Sequence, residues 1–375
     1  MSTDLEMQVQ KSLEKVKVAF SGAALKNAAL NEKEKKAQKL TLTSHPIRLR
    51  IELTNECNLR CIFCYKSYFN VEKEHLSMGE FKKLDPFLRS AKFLTFFTKS
   101  EPLLAENLFP AIEHCKDIKA VTYFSTNAIP LTREISEKLV DLGLTFLQVS
   151  VNVFGDQYAK VYRGGTIERL EENLKTLSEV KKAKGSDKPH LRLSFCSTKD
   201  SVANLDEAIR FAKKHQFSQG VQITPLFAVG DDQKDKTYEA DPEFFESYYQ
   251  RGAKLAGELG VPFWIISDPR KQVYEDPFCY DPWESINIEP NGDVYPCSVS
   301  TEVMGNVTKQ SIEEIWNGKR YQEFRSKVNT TGPEQNSDCK TCLNCHLHNL
   351  KSASNSAIER KAMSGGYYRI KQAVK

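Results

Sequence analysis

Strand-like and helix-like segments alternate through the middle of this 375-residue chain, and no other pattern in it limits the possible folds as much. Each apolar or β-branched run is followed by an amphipathic stretch, which is typical of parallel strands joined by crossover helices. Six such runs occur, at residues 47–54, 93–98, 120–126, 146–152, 190–198 and 220–227. We therefore predict an α/β fold whose functional residues follow the carboxyl ends of the strands.

The composition narrows the class of protein. The start, MSTDLEMQVQKSLEK, is charged where a secretory signal would be apolar, and no run is long enough to span a membrane. We expect a cytoplasmic protein with no membrane partner and with reduced cysteines. The 53 basic and 49 acidic residues are too balanced to indicate a nucleic-acid surface, so that partner is not favoured.

Three closely spaced cysteines follow the first predicted strand. The segment ECNLRCIFCYK, residues 56–66, places Cys57, Cys61 and Cys64 in one loop. Clustered thiolates in a reducing compartment indicate zinc or an iron–sulfur cluster. A structural zinc site takes four ligands, and only His75 is a possible fourth here. A [4Fe–4S] cluster with one open iron fits the count, while zinc remains the rival on spacing alone.

A second group of cysteines lies near the end of the chain. The tripeptide NGD, residues 291–293, stands between the apolar runs INIEP and VYPC and predicts a hairpin that brings Cys279 and Cys297 together. The segment CKTCLNC follows, and two separated pairs suit a four-thiolate cluster or a zinc ribbon. His346 and His348 are the alternative zinc ligands. Two isolated cysteines, Cys115 and Cys196, are expected to be small buried hydrophobes.

These motifs resemble the radical S-adenosylmethionine (SAM) superfamily, whose hallmark is CxxxCxxC after the first barrel strand. The resemblance covers residues 47 to about 350 and implies a partial (β/α)6 TIM-like barrel. It also implies a [4Fe–4S] cluster held by Cys57, Cys61 and Cys64 and chelated by SAM. The loop TKSEP, residues 98–102, matches the family's GGEP motif, with Lys99 and Ser100 in place of the glycines.

The resemblance further implies the residues that contact SAM. Phe63 matches the aromatic position beside the adenine, and Glu101 the carboxylate that holds the methionine amino group. The segments FSTN and SVN match the ribose and carboxylate contacts, and YRGG carries an arginine that could pair with the SAM carboxylate. The candidates in these three segments are Ser125, Asn127, Ser150, Asn152 and Arg163.

The C-terminal region resembles the SPASM/Twitch extension, including the family phrase "GN…S…EIWN". This implies a small cysteine-rich α+β domain with one auxiliary [4Fe–4S] cluster. The implied ligands are Cys279, Cys297, Cys339 and Cys342, with Cys345 as an alternative. The expected organisation is a polar helical extension (1–44), a radical SAM core (45–235), a bridging helix and strand (236–275), the auxiliary domain (276–350) and a tail (351–375).

The resemblance implies an enzyme that takes an electron from a donor such as flavodoxin or ferredoxin and cleaves SAM to a 5′-deoxyadenosyl radical. Abstraction of a hydrogen atom would then lead to a two-electron oxidation of a sugar or cyclitol alcohol. One alternative is radical maturation of a ribosomally synthesised peptide by epimerisation or cross-linking. Another is a non-catalytic iron–sulfur or zinc scaffold. The sequence names no catalytic base.

Overall fold

A mostly parallel β-sheet with helices packed on one face organises the protein. The computed structural model describes residues 16, 19–64, 72–96, 99–226, 231–266, 278–298, 300–330 and 334–341. Within these residues the strands are β1 (Arg48–Ile51), β2 (Arg60–Cys61), β3 (Phe93–Thr95), β4 (Val121–Thr126), β5 (Phe146–Ser150), β6 (Tyr162–Arg163), β7 (His190–Ser197), β8 (Val221–Pro225), β9 (Phe263–Ile265), β10 (Ser285–Ile288), β11 (Asp293–Tyr295) and β12 (Gly305–Asn306).

The helices lie between these strands and after them. They are α1 (Gly22–Lys36), α2 (Met78–Lys82), α3 (Asp85–Leu88), α4 (Leu108–His114), α5 (Arg133–Asp141), α6 (Tyr158–Val161), α7 (Ile167–Ala183), α8 (Leu205–Lys214), α9 (Pro242–Leu259), α10 (Asp281–Glu284), α11 (Ile312–Trp316), α12 (Lys319–Val328) and α13 (Ser337–Thr341). In the described part of the chain, no helix is both long and apolar enough to cross a bilayer.

All six predicted strands are present, and the α/β fold class is confirmed. The large sheet has the order β12-β11-β10-β1-β3-β4-β5-β7-β8-β9, with parallel pairing from β10 through β9. One face is covered by helices and is apolar, since Leu49, Leu94, Phe124, Leu147 and Leu193 are all fully buried. The alternating residues point to the inner face and are mainly polar beyond the first layer, as expected for a period of two.

Aromatic and aliphatic side chains form a floor at the amino ends of the strands. Val121 and Phe146 are buried there, with Phe93 and the N-terminal Phe20 packed against them. The rings of Phe20 and Phe93 meet edge to face at 6.0 Å. The N-terminal segment therefore closes the bottom of the inner face.

The hairpin of the second cysteine region continues the core sheet, which the sequence did not predict. β10 pairs in parallel with β1, so that Arg48 lies opposite Ser285 and Ile51 opposite Ile288. The predicted hairpin itself is confirmed, because β10 and β11 are antiparallel around Gly292, whose φ is +84°. A positive φ suits glycine at this tight turn.

The N-terminal helix α1 is built into the junction between core and hairpin. Asn31 donates to the carbonyl of Trp283 at 2.6 Å. Lys35 and Arg48 both pair with the buried carboxylate of Glu284, at 3.1 and 2.9 Å. The domain limits predicted from the sequence stay a prediction. Glu284 nevertheless joins three of the predicted parts, because Lys35 belongs to the N-terminal extension, Arg48 to the core and Glu284 to the C-terminal region.

Candidate active site

The three predicted cysteines lie together in the loop after β1. All three are half-buried, and the Cys64 N–H donates to the carbonyl of Cys61 at 3.1 Å. Burial, together with the neighbouring Cys64 and Cys57, raises the pKa of Cys61 to about 12. Because three thiolates repel one another, a positively charged centre between them would relieve the repulsion. The donor set therefore fits a thiolate-bound iron–sulfur cluster.

A short antiparallel ladder holds this loop against the segment after β5. Cys61 on β2 lies opposite Tyr162 on β6. The ring of Phe63 meets that of Tyr162 edge to face at 5.7 Å, and Tyr162 stacks on Tyr158 at 4.7 Å. The Tyr158 hydroxyl is buried without a hydrogen-bond partner in the described structure. Sequence reasoning missed both tyrosines, although Tyr162 begins the YRGG segment.

Glu101 and Asn127 connect two strand ends to the cysteine loop. The Glu101 carboxylate, 1% exposed, accepts from Thr126 Oγ1 at 2.6 Å, the Asn127 N–H at 2.8 Å and the Leu103 N–H at 3.2 Å. Asn127 Nδ2 lies 2.9 Å from Asn58 Oδ1 and 3.9 Å from Cys57 Sγ. The structure thus brings Glu101 and Asn127 to the first cysteine.

Three further candidates lie on neighbouring strand ends. The hydroxyls of Ser125 and Ser150 are 3.0 Å apart, on β4 and β5. Asn152 is buried, and its side-chain oxygen accepts from the Cys196 N–H at 2.7 Å, so this oxygen is used to join β7. Ser125 and Ser150 are thus brought together, whereas Asn152 is turned toward the neighbouring strand.

Arg163 lies at the exposed edge of the cysteine loop. It is opposite Arg60 on the β2–β6 ladder, and Arg60 donates to the carbonyls of Cys57 and Leu59. Two guanidinium groups in adjacent strand positions repel each other, which favours an anion nearby. The role of Arg163 toward the SAM carboxylate stays a prediction.

Lys99, which replaces one of the family's glycines in TKSEP, has defined partners. The Lys99 N–H donates to Glu52 Oε1 at 2.8 Å, and its ammonium pairs with Glu289 at 2.7 Å. Glu52 follows β1 and Glu289 follows β10, so this loop ties the core to the hairpin. Thr98 lies outside the described residues.

His75, the possible fourth zinc ligand, is engaged elsewhere. Its Nε2 lies 3.0 Å from Glu56 Oε1, and Lys73 pairs with the same carboxylate at 2.6 Å. Over the described ranges, no three His, Cys, Asp or Glu side chains are gathered closely enough to hold a single metal ion.

Of the second cysteine group, Cys279, Cys297 and Cys339 are described, whereas Cys342, Cys345, His346 and His348 lie outside the described residues. Asn329 at the end of α12 fixes Cys279, because it accepts from the Cys279 N–H at 2.8 Å and donates to its carbonyl at 3.1 Å. Burial raises the pKa of Cys279, and Asp281 and Cys297 nearby raise it further. The hairpin therefore brings Cys279 and Cys297 close together.

Asp338 attaches the helix that carries Cys339 to this hairpin. Its carboxylate accepts from Ser300 Oγ at 2.9 Å and from the Thr301 N–H at 2.7 Å. Because these residues follow Cys297 closely, the contact anchors α13 to the segment after Cys297. Thiol donors from α13 and from the hairpin suit a second thiolate-bound cluster.

Comparisons with known proteins agree with both parts of this arrangement. Residues 51–187 match the radical SAM superfamily, and residues 279–346 match the SPASM iron–sulfur cluster-binding domain. The chain is 25% identical over 306 residues to the tungsten-containing aldehyde ferredoxin oxidoreductase cofactor-modifying protein of Pyrococcus furiosus, covering 74% of this chain and 82% of that protein. It is 24% identical to the AdoMet-dependent heme synthase of Methanosarcina barkeri, covering 78% and 88%.

A solved structure shares the fold. Streptococcus suis SuiB bound to its precursor peptide SuiA superimposes with a TM-score of 0.60 at 17% identity, covering 87% of this chain and 75% of that one.

Proposed function

Because this chain is a radical SAM protein with a SPASM iron–sulfur domain, we propose that it is an oxidoreductase that dehydrogenates an alcohol carbon of a sugar or cyclitol. The bound [4Fe–4S] cluster, SAM and auxiliary iron–sulfur cluster supply one-electron chemistry and a 5′-deoxyadenosyl radical that abstracts a hydrogen atom. A one-electron donor such as flavodoxin or ferredoxin is the proposed protein partner. The protein's own residues bind, orient and shield the reactants.

The polar inner face is the observation that supports a hydroxyl-rich substrate. Above the apolar floor, the buried Ser125 and Gln148 lie on adjacent strands, with the Gln148 amide 3.4 Å from the Ser125 hydroxyl. Gln222 on β8 and Asn287 on β10 are also buried on this face. Hydroxyl and amide side chains in a shielded space pair well with the hydroxyls of a polyol.

The proposed SAM contacts follow the strand ends. Cys57, Cys61 and Cys64 would hold the cluster, with Phe63 beside the adenine and Glu101 toward the amino group. Ser125, Asn127, Ser150 and Asn152 would contact the ribose and carboxylate, and Arg163 would pair with the carboxylate. Cys279, Cys297, Cys339 and Cys342 would hold the auxiliary cluster, with Cys345 as an alternative ligand.

Peptide maturation is the second candidate, since SuiB, which shares the fold, was solved with a precursor peptide. Residues 19–45 do not themselves form a separate peptide-binding unit, because Phe20 packs into the floor and α1 into the hairpin junction. The sugar or cyclitol proposal is therefore preferred.

Anaerobic reconstitution tests the enzyme proposal. The full chain should hold about eight irons, from two [4Fe–4S] clusters, and release 5′-deoxyadenosine when it is reduced with SAM. The Cys57→Ala, Cys61→Ala, Cys64→Ala variant should lose about half of the iron and all 5′-deoxyadenosine. The matched control is Cys115→Ala, since Cys115 is buried on the helix side and packs in the core.

Substrate class is tested by isotope transfer. Polyols deuterated at carbon should deliver deuterium to 5′-deoxyadenosine and yield a ketone, and Cys279→Ala should stop ketone formation. Deuterium transfer from a labelled peptide, but from no polyol, would replace the sugar proposal with peptide maturation. Absence of 5′-deoxyadenosine from the intact chain would refute the enzyme proposal as a whole.

A further inference from the structure

Two arginines, Arg50 on β1 and Arg192 on β7, lie on the inner face of the sheet. Arg50 on β1 is in register with Asn287 on β10 and Thr95 on β3. Arg192 on β7 is in register with Gln148 on β5. Gln148 is itself in register with Ser125 on β4 and is two residues before Ser150, so Arg192 lies in the same row of the inner face as Ser125.

Neither arginine is neutralised in the described structure. Arg48, two residues before Arg50, pairs with Glu284 at 2.9 Å. By contrast, Arg50 makes only long contacts, at 3.4 and 3.5 Å, with the uncharged Ser285 and Asn287. Arg192 has no carboxylate within ion-pair distance among the described residues, and its Nε is buried without a hydrogen-bond partner.

A further hydrogen-bond donor lies beside Arg50. The Asn287 amide nitrogen is buried and lacks a partner in the described part of the chain. Burial lowers the pKa of Arg192, and the nearby Tyr123 partly offsets this effect. Tyr123 is in register with Thr95, the neighbour of Arg50, and it lies on β4, the middle one of the three strands between β1 and β7.

A buried, unpaired guanidinium costs free energy that the fold alone does not recover. Such a group is retained at a binding site when the ligand supplies the missing negative charge. We propose that Arg50 and Arg192, with Asn287 and Tyr123, bind an anionic carboxylate or phosphate group of the substrate. This inference rests on the proposed function and narrows its substrate class to polyols that carry an acidic group.

The arrangement also explains the layering of the inner face. The apolar floor of Phe93, Val121 and Phe146 excludes water from below. The two arginines would hold the acidic group, and the hydroxyl-bearing carbons would then extend toward Ser150 at the carboxyl end of β5. An arginine fork matches the planar oxygens of a carboxylate or a phosphate bidentately.

The test uses the reconstituted full chain and two small anions, inorganic phosphate and malonate, as probes at constant ionic strength. At least one anion should raise the unfolding midpoint, by about 2 °C near tenfold saturation. The rise should vanish in Arg192→Gln and Arg50→Gln and should persist in Arg133→Gln, an exposed arginine paired with Glu179 on the outer helices. Which anion responds distinguishes a carboxylate from a phosphate.

Two further measurements separate binding from folding. Without anion, Arg192→Gln should be no less stable than the wild type, because no ion pair is lost. Arg192→Lys should keep a smaller anion-dependent rise of the unfolding midpoint, since lysine retains the positive charge but lacks the two parallel N–H donors of a guanidinium group. A wild type that responds to neither anion, or a response that survives in both glutamine variants, would overturn the proposal. These tests do not depend on the release of 5′-deoxyadenosine, so their failure would leave the enzyme proposal unaffected.

Discussion

The carboxylate of Glu101 should make the stability of this protein depend on pH near neutrality. Burial raises the pKa of Glu101 to about 7, although the donors from Thr126, Asn127 and Leu103 lower it. Its ordinary value is 4.5. The folded state therefore binds more protons than the unfolded state between these values, and the free energy of unfolding falls as the pH rises through this window.

The size of the effect follows from the two pKa values. With 4.5 unfolded and about 7 folded, the wild type should be about 1.3 kcal/mol more stable at pH 6 than at pH 8 from this group. Glu101→Gln has no such titration. Its amide also presents a donor where Leu103 or Asn127 already donates, which costs about 1–3 kcal/mol. The gap between wild type and variant should shrink by about 1.3 kcal/mol from pH 6 to pH 8.

Urea unfolding followed by tryptophan fluorescence at both pH values measures this gap. Glu284→Gln is a matched control, because Glu284 is equally buried but has the opposite shift. Burial opposes its ionisation, yet Arg48 and Lys35 outweigh burial and hold the pKa of Glu284 below its ordinary value. The stability that ionised Glu284 contributes is fully present above pH 4.5 and is lost only at lower pH. Glu284→Gln should therefore lower the free energy of unfolding by the same amount at pH 6 and pH 8.

A wild-type advantage over Glu101→Gln that stays constant or grows from pH 6 to pH 8 would refute the assignment of a raised pKa. It would mean that the three donors, rather than burial, decide the protonation of this carboxylate. Such a result would also favour an ionised Glu101 ready to meet the SAM amino group at neutral pH.

Two more substitutions test the packing that supports the site. Arg325→Met should destabilise the chain by about 2–4 kcal/mol in urea unfolding, because Arg325 donates to the carbonyls of Pro282 and Leu40 at 3.0 and 2.9 Å and lies 4.3 Å over the Trp316 ring; an unchanged midpoint would contradict this. Gly220→Ala should lower the free energy of unfolding by at least about 2 kcal/mol, since φ is +63° and the new Cβ would lie 1.9 Å from the Pro262 oxygen. Gly257→Ala in α9 is the control, because its Cβ meets nothing within 4 Å and the change should raise the free energy of unfolding by about 0.5–1 kcal/mol. Equal effects of the two changes would contradict the packing described for Gly220.

Local signals in the sequence predicted much of this fold. The six strands are confirmed because apolar alternation reports directly which side of a sheet is covered. Two capping boxes follow the local pattern of a serine with a glutamate three residues later, Ser77 with Glu80 at α2 and Ser311 with Glu314 at α11. The NGD turn is also present, since glycine and asparagine encode turn geometry within three residues.

Long-range pairing was not predicted, because its determinants are far apart in sequence. Nothing local to Ser285–Ile288 indicates that it pairs with Arg48–Ile51. The same is true of Lys99 with Glu289 and of Asn152 with the backbone of Cys196. Such contacts arise from tertiary packing, so sequence motifs could place Asn152 at a strand end but could not show that its oxygen bonds to β7.

The join between β10 and β1 links the two cysteine groups through one continuous sheet. Cys297 follows β11 by two residues, β11 pairs with β10, and β10 pairs with the strand that leads into Cys57. Asn287 is thereby placed beside Arg50, and Tyr295 lies on the other side of Asn287 in the same row. A substrate held by Arg50 and Arg192 would then lie against the strand that leads into the first cysteine group and the hairpin that leads into the second. Oxidation of a substrate radical needs an electron acceptor close to it, and this topology supplies a rigid framework for one.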